Sequence, residues 1–115
     1  MVLNTDQNST QIQKFDTSIR AIAHPLRRQI LVWLKDPQLY FPEQAYGQNF
    51  GVCFGQVTLR CSLSQSTVSV HMDSLKRAGL IDLNKHGNVH FYKRNENAIQ
   101  SFKELLTSHL QGEGF

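Results

Sequence analysis

The sequence has few cysteines and no long apolar stretch. It contains two cysteines in 115 residues, and no apolar run approaches the roughly 18 residues typical of a membrane span. Residues 1–13 are polar and lack the hydrophobic segment of a signal peptide. These absences argue against secretion and membrane insertion. They predict a cytoplasmic protein whose thiols are reduced.

Catalytic motifs are also missing. The sequence shows no paired carboxylates, no nucleophile beside a base, no phosphate-binding loop and no set of metal ligands. We therefore expect a protein that is not an enzyme and that holds no cofactor or metal.

Size and charge suggest a small domain with an anionic partner. A chain of 115 residues with 40% hydrophobic content is typical of one folded domain rather than of a disordered segment. Lysine and arginine exceed aspartate and glutamate by three. This excess favours an anionic partner without proving one.

Residues 64–80 carry the most informative pattern in the chain. Ser64 is a typical helix N-cap and Gly79 a typical C-terminal stop. Between them, apolar residues recur at helical spacing: Val68, Met72 and Leu75. The pattern predicts an amphipathic helix of about four turns.

A shorter helix over residues 54–61 and a tight turn at residues 62–64 predict a helix-turn-helix unit. The second helix begins with hydroxyl and amide side chains, which suit contacts with phosphates and base edges in the DNA major groove. After Gly79 the pattern alternates, and residues 85–88 predict the turn of a basic β-hairpin, or wing. The predicted DNA-binding residues are Ser64, Gln65, Ser66, Thr67, Ser69, Val70, His71, Arg77, Lys85, His86 and Asn88.

Helical periodicity also predicts helices over residues 12–23, 26–35 and from about 95 to 110. The fold class is therefore mainly α with a two-stranded β-hairpin wing, in the order α-α-α-α-β-β-α. We expect a flexible arm over residues 1–11, one domain over 12–111 and a tail over 112–115. Residues 36–52 form a long connector that contains four aromatic residues. It either packs as a covered flap or lines a ligand pocket.

The first and last helices each carry an apolar stripe that a small domain cannot easily cover by itself. We expect these stripes to meet in a two-fold dimer. The predicted interface residues are Phe15, Ile19, Ile22, Ile99, Phe102 and Leu106.

The order of these elements, together with four short stretches of sequence, resembles the ArsR/SmtB family of winged helix-turn-helix regulators. The stretches are residues 23–31 (Ala-His-Pro-Leu-Arg-Arg-Gln-Ile-Leu), 63–69 (Leu-Ser-Gln-Ser-Thr-Val-Ser), 75–81 (Leu-Lys-Arg-Ala-Gly-Leu-Ile) and 91–94 (Phe-Tyr-Lys-Arg). The resemblance covers roughly residues 15–110. It implies a homodimeric, sequence-specific repressor that leaves double-stranded operator DNA when an effector binds. The alternative is a winged-helix module that binds protein and has little or no specific affinity for DNA.

The chain departs from the family at two positions of the predicted recognition helix. Val70 stands where the family usually carries arginine, and Asp73 stands near a position where lysine is common. Both belong to the stripe expected to face DNA: Ser66, Val70, Asp73 and Arg77. Basic residues elsewhere in this half still favour nucleic acid: Arg60, Lys76, Arg77, Lys85, Lys93 and Arg94.

The resemblance also bears on the effector. Family members that sense soft metals carry a Cys-Val-Cys pair, where this chain has Cys53 and Gly55. One thiolate does not make a metal site. A thiol-reactive species at Cys53, a small organic ligand under the aromatic connector, or no ligand remain as alternatives. Cys61 is a weaker effector candidate, since a buried cysteine usually behaves as a small apolar residue. We expect His24 to be a capping or packing residue.

Overall fold

The structure is a computed structural model that describes residues 5–44 and 48–113. Side chains are described from residue 9 onward, with the exception of residue 48. Six α-helices are present in the described ranges: α1 (Thr5–Ile22), α2 (Pro25–Lys35), α3 (Pro37–Tyr40), α4 (Phe54–Cys61), α5 (Gln65–Arg77) and α6 (Glu96–Leu110). A 3₁₀ turn spans Gln48–Phe50. Three strands complete the described fold: β1 (Val52–Cys53), β2 (Ile81–His86) and β3 (Val89–Arg94).

Helix α1 begins at Thr5, seven residues before the predicted start at residue 12. Residues 5–11 of the expected flexible arm are therefore helical, and residues 1–4 lie outside the described ranges. The segment from Thr5 to Gln11 has no apolar periodicity that would predict a helix, but it also contains no proline or glycine to end one. The division into arm, domain and tail otherwise stays a prediction.

The sheet has three antiparallel strands in the order β1-β3-β2, rather than the predicted two. Strand β1 pairs with β3 through Val52 and Tyr92. Strand β3 is the central strand, and its neighbouring residues Phe91 and Tyr92 are both buried. Gly51 makes the close approach possible: a Cβ on this residue would lie 2.4 Å from the carbonyl oxygen of Tyr92, and its φ is +104°.

The hairpin turn is also shorter than predicted. Lys85 and His86 belong to β2, so the turn itself consists of Gly87 and Asn88. The register places His86 opposite Val89 at the end of the ladder. Two-residue turns of this kind are the commonest connections in β-hairpins.

The connector over residues 36–52 is packed in part, as one of the two alternatives predicted. Phe41 is buried and meets the ring of Trp33 edge-on, with 6.5 Å between ring centroids. The side-chain amide of Gln44 donates to the carbonyl of Gly51 and accepts from the backbone N–H of Cys53. This amide therefore supplies the outer edge of β1 with hydrogen bonds, since the other edge pairs with β3. Tyr46 lies outside the described ranges.

Helices α1 and α6 pack against each other within one chain. The rings of Phe15 and Phe102 lie 5.7 Å apart, and both side chains are buried. These two predicted interface residues therefore cover each other inside the same chain, and their place in a dimer interface stays a prediction. The other predicted interface residues are only half-buried: Ile19, Ile22, Ile99 and Leu106.

Candidate nucleic-acid interface

Helices α4 and α5 form the predicted helix-turn-helix. The first ends at Cys61 and the second begins at Gln65, with Ser62, Leu63 and Ser64 between them. Ser62 adopts the left-handed conformation with φ of 55°, and its N–H bonds to the carbonyls of Thr58 and Leu59. This left-handed C-cap ends α4 within one residue and so permits the tight turn.

A network of hydroxyl groups organises the N-terminus of α5. The Ser64 hydroxyl oxygen accepts from the backbone N–H of Thr67 at 3.3 Å, which confirms Ser64 as the N-cap. The same hydroxyl donates to Thr67 Oγ1 at 2.9 Å, and it lies 3.2 Å from the hydroxyl of Ser66. All three residues are exposed. The first turn therefore presents hydroxyl groups whose positions are set before any ligand binds.

The two faces of α5 have opposite environments. Val68, Met72 and Leu75 are fully buried in the core, as predicted. The opposite stripe consists of exposed residues: Ser66, Val70, Asp73 and Arg77. Val70 is 58% exposed. The stripe expected to face DNA is therefore not covered by the chain itself.

The C-terminus of α5 ends in a Schellman motif. The N–H of Leu80 bonds to the carbonyl of Leu75, and the N–H of Gly79 bonds to the carbonyl of Lys76. Gly79 has φ of +76°, which the predicted role of a glycine stop requires. Leu80 is buried and leads directly into β2, so the end of α5 fixes the start of the wing.

His71 does not belong to the DNA-facing surface, and its prediction as a DNA contact is wrong. It is 8% exposed, on the side of α5 that packs against α2. Its Nδ1 accepts from Nε of Arg27 at 3.0 Å, and its ring lies 4.5 Å from that of His24. Burial, then the charges of His24 and Arg27, lower the pKa of His71. His24 also caps α2 through Nδ1, which confirms its predicted role.

The wing presents Lys85, His86 and Asn88 to solvent. The ring of His86 lies 3.9 Å from that of Phe50 and 5.6 Å from that of Phe91. His86 thus contacts the 3₁₀ turn before β1 while it remains exposed. Lys85 and Asn88 are two of the exposed side chains of the wing.

Two arginines counted with the basic surface have structural partners instead. Arg94 forms a bidentate ion pair with Glu96 and donates to the carbonyl of Leu31. The guanidinium of Arg60 lies 5.0 Å from the ring centroids of both Trp33 and Tyr40 and donates to the Tyr40 carbonyl. The rest of the predicted basic set is exposed: Lys76, Arg77, Lys85 and Lys93.

Both cysteines are reduced and half-buried. Cys53 ends β1 and is the N-cap residue of α4, while Cys61 is its last residue. Burial raises the pKa of the Cys61 thiol, which disfavours the reactive thiolate. Within residues 5–44 and 48–113, no cluster of three or more His, Cys, Asp or Glu side chains could hold a metal ion.

Sequence reasoning missed Arg20 and Arg27, which lie with Arg77 around a cleft beside α5. The three arginines belong to three different helices, so no local spacing could have grouped them. None of the helices in the part of the chain that the structure describes is both long and apolar enough to cross a membrane.

A capped helix with a free polar face, entered by a three-residue turn and followed by a hairpin, defines a winged helix-turn-helix domain. No family model matches the sequence. The chain is 38% identical over 93 residues to the HTH-type transcriptional regulator YbzH of Bacillus subtilis (strain 168), covering 79% of this chain and 93% of that protein. It is 28% identical over 104 residues to the transcriptional activator HlyU of Vibrio cholerae, covering 90% and 84%.

Solved structures agree with these relatives. The structure of HlyU from Vibrio cholerae N16961 superposes with a TM-score of 0.59 at 26% identity, over 87% of this chain and 94% of that one. An ArsR-like regulator from Rhodococcus sp. RHA1 shares the fold, with a TM-score of 0.63 at 16% identity, over 90% of this chain and 83% of that one. The chain belongs to the ArsR/SmtB family of winged helix-turn-helix transcriptional regulators. It is a DNA-binding regulator of transcription.

Proposed function

We propose that the chain is a homodimeric repressor that binds a specific operator through α5 and the wing. We also propose that it acts in the cytoplasm. The observation that carries this proposal is the uncovered stripe of α5, opposite a fully buried face. A helix held in this way fits the major groove, and the exposed hydroxyls of Ser66 and Thr67 suit phosphate and base-edge contacts. Repression follows from occupancy alone wherever the operator overlaps the DNA that RNA polymerase must contact.

The shape of one chain supports a dimer. Its principal extent is 55 Å and its radius of gyration 15.9 Å, against about 13 Å for a compact domain of this length. The pair α1 and α6 leaves apolar side chains exposed at Ile12 (40%) and Leu110 (75%). Half-buried Ile19, Ile22, Ile99 and Leu106 lie on the same two helices. A second copy would cover these positions and place two recognition helices on one duplex.

Sedimentation tests this assembly. Ile12→Glu with Leu110→Glu places charge on the proposed interface at exposed positions, so each chain should fold while the dimer dissociates. Leu59→Glu is the matched control, since Leu59 is 72% exposed on α4. A dimer mass that persists in the double variant, or is lost equally in the control, would refute this interface.

The aromatic connector offers a place for a small organic effector. A cavity of about 570 Å³ lies between α2, the residues around Phe50 and the wing, which is within the usual size range of ligand pockets, about 300–1,000 Å³. Asp82 and Asn84 of β2 line it, so a ligand there would contact the wing directly. We propose this cavity as the effector site, with thiol chemistry at Cys53 as the second candidate.

Two variants distinguish the Cys53 thiol from the cavity as the effector site. Cys53→Ser should abolish release by oxidants or sulfane sulfur if the thiol is the sensor. If oxidants still release the Cys53→Ser protein from DNA, Cys53 is not the sensor. Asn84→Phe, which fills the cavity from an exposed strand position, should alter release by an organic ligand and leave the thiol response intact.

DNA binding itself is tested by selecting duplexes from a random pool with the wild-type protein and titrating the selected duplex in gel shifts at several salt concentrations. Val70→Glu places a negative charge on the stripe and should abolish binding. Val32→Glu, at a valine 47% exposed on α2, is the matched control and should bind normally. Absent or salt-insensitive binding by the wild type would instead favour the protein-interaction module.

A reporter assay tests repression separately. The name of HlyU states that this relative is an activator. Activation of the reporter by this chain would overturn the proposed repression but not DNA binding.

A further inference from the structure

A cleft of about 370 Å³ lies beside the C-terminal half of α5, next to the exposed stripe described above. Three arginines from three helices line it: Arg20 of α1, Arg27 of α2 and Arg77 of α5. Its remaining lining residues are small: Thr17, Ala21 and Ser74. The cleft is therefore lined by small side chains and by three positive charges.

The arginines of this cleft have no ion-pair partner among the described side chains. Across residues 9–44 and 49–113, no carboxylate forms an ion pair with any of the three arginines; the ion pair found there joins Arg94 and Glu96. Asp73 lies one turn before Arg77 on the exposed stripe of α5, and the described residues show no ion pair between the two side chains. Three like charges at one cleft repel each other unless an anion joins them.

One of the three guanidinium groups is held in position. Arg27 donates from Nε to Nδ1 of the buried His71, and this bond leaves both of its terminal NH₂ groups free to donate. The planar fork of arginine matches the oxygens of a phosphate group, and fixing it beforehand lowers the entropy lost on binding. The side chain of Ser74 adds a hydroxyl to the same cleft.

We propose that this cleft binds a phosphate group of the DNA backbone, beside the groove that receives α5. Arg77 belongs both to the exposed stripe of α5 and to the cleft, so the cleft opens next to the surface proposed to face DNA. The inference rests on the proposed function and extends it: α1 and α2 contribute to DNA binding through Arg20 and Arg27, outside the helix-turn-helix and the wing.

The decisive variant is Arg20→Gln. If the protein contacts DNA only through α5 and the wing, this substitution should leave the salt dependence of DNA binding unchanged. Lys103→Gln removes the same charge from an exposed position on α6 and is the matched control. Binding of the selected duplex is measured between 50 and 200 mM salt. Loss of one phosphate contact should make the slope of log affinity against log salt shallower by about 0.9 per bound chain. The ratio of wild-type affinity to variant affinity should therefore fall about 3.5-fold as salt rises from 50 to 200 mM.

Arg20→Gln combined with Arg77→Gln shows whether both arginines contact the same phosphate. If they do, the double variant should lose less slope than the sum of the single variants. Neither side chain has a hydrogen-bond partner in the described residues, so melting temperatures should stay close to wild type. A slope for Arg20→Gln equal to those of wild type and Lys103→Gln would overturn the inference while DNA binding stands.

A second measurement separates failure of the inference from failure of the proposed function. If the wild type binds no duplex even at low salt, the arginine side-chain NMR signals are titrated with inorganic pyrophosphate. Shifts in wild type that disappear in Arg20→Gln would show a site for free phosphoryl anions and overturn the DNA backbone as its source. The absence of any shift would overturn the cleft as a phosphate site altogether.

Discussion

Arg27 of α2 donates a hydrogen bond from Nε to Nδ1 of His71 in α5, across 3.0 Å and 44 positions of sequence. The bond ties the recognition helix to the start of α2 from its buried side. It requires an acceptor at Nδ1, so the neutral imidazole carries its proton on Nε2. Protonation of His71 would remove this acceptor and place a second positive charge beside that of Arg27.

The stability of the protein should therefore fall in mild acid. Burial and the neighbouring charges lower the pKa of His71 from its ordinary value of 6.5. Below that value the unfolded chain binds more protons than the folded chain, so the free energy of unfolding decreases as pH falls below 6.5. Above pH 6.5 the contribution is fully present. Urea unfolding at several pH values, for wild type and His71→Gln, measures it. An identical pH dependence in the variant would contradict this role.

The hydroxyl network at the start of α5 should divide into a structural and a binding part. Ser64→Ala removes the N-cap and should cost about 1 kcal/mol of stability. Ser66→Ala removes an exposed hydroxyl from the DNA-facing stripe and should change stability by less than about 0.5 kcal/mol while weakening DNA binding. Ser101→Ala, at an exposed position of α6, controls for loss of a serine. A large loss of stability in Ser66→Ala would make that hydroxyl structural.

Val70→Arg should strengthen and sharpen DNA recognition. Val70 is 58% exposed on the stripe, so a longer side chain fits without repacking the core. An arginine at this position can form a bidentate contact with guanine, which contributes about 1–3 kcal/mol of discrimination. Repeating the duplex selection with the variant should enrich guanine at one position of each half-site. Val32→Arg adds the same charge elsewhere on the surface. An equal gain in DNA affinity in that control would show that the gain comes from net charge and not from a contact with guanine.

Lys85 and Arg94 should have separate roles although both lie in the wing strands. Lys85→Gln should leave stability unchanged and reduce the salt dependence of DNA binding, because Lys85 is exposed beside the turn. Arg94→Gln should cost about 1–2 kcal/mol, because it removes the bond to the Leu31 carbonyl and the ion pair with Glu96. Thermal melts and salt titrations of both variants measure this. Interchanged effects would place Arg94, rather than Lys85, at the DNA.

Local features of the sequence predicted the helix-turn-helix well. Ser64, Gly79 and the spacing of Val68, Met72 and Leu75 predicted α5, its ends and its buried face. Each of these features acts within about four residues, through caps or through the helical repeat. The exposure of Val70 and Arg77 follows from the same repeat.

Longer-range partners could not be predicted from spacing. Arg94 contacts Leu31 across 63 positions, and Arg60 contacts the Tyr40 carbonyl across 20. In the sequence, each of these arginines looks like any other basic residue of a DNA-binding surface. The third strand was missed for the same reason, since alternation in β3 does not show that β1 pairs along its other edge.

What the sequence by itself determined is the five longer helices, the turn that joins α4 to α5 and the polar face of α5, because hydrogen bonds and periodicity between near neighbours decide these. It did not predict the short helix α3 (Pro37–Tyr40) inside the connector. The tertiary structure alone decided which charges stay free. It buried His71 against Arg27, paired Arg94 with Glu96 and brought Arg20 and Arg77 to one cleft. Burial and ion pairing depend on which distant segments pack together. The free energy of that packing depends on contacts between segments, so it cannot be read from any single stretch of the sequence.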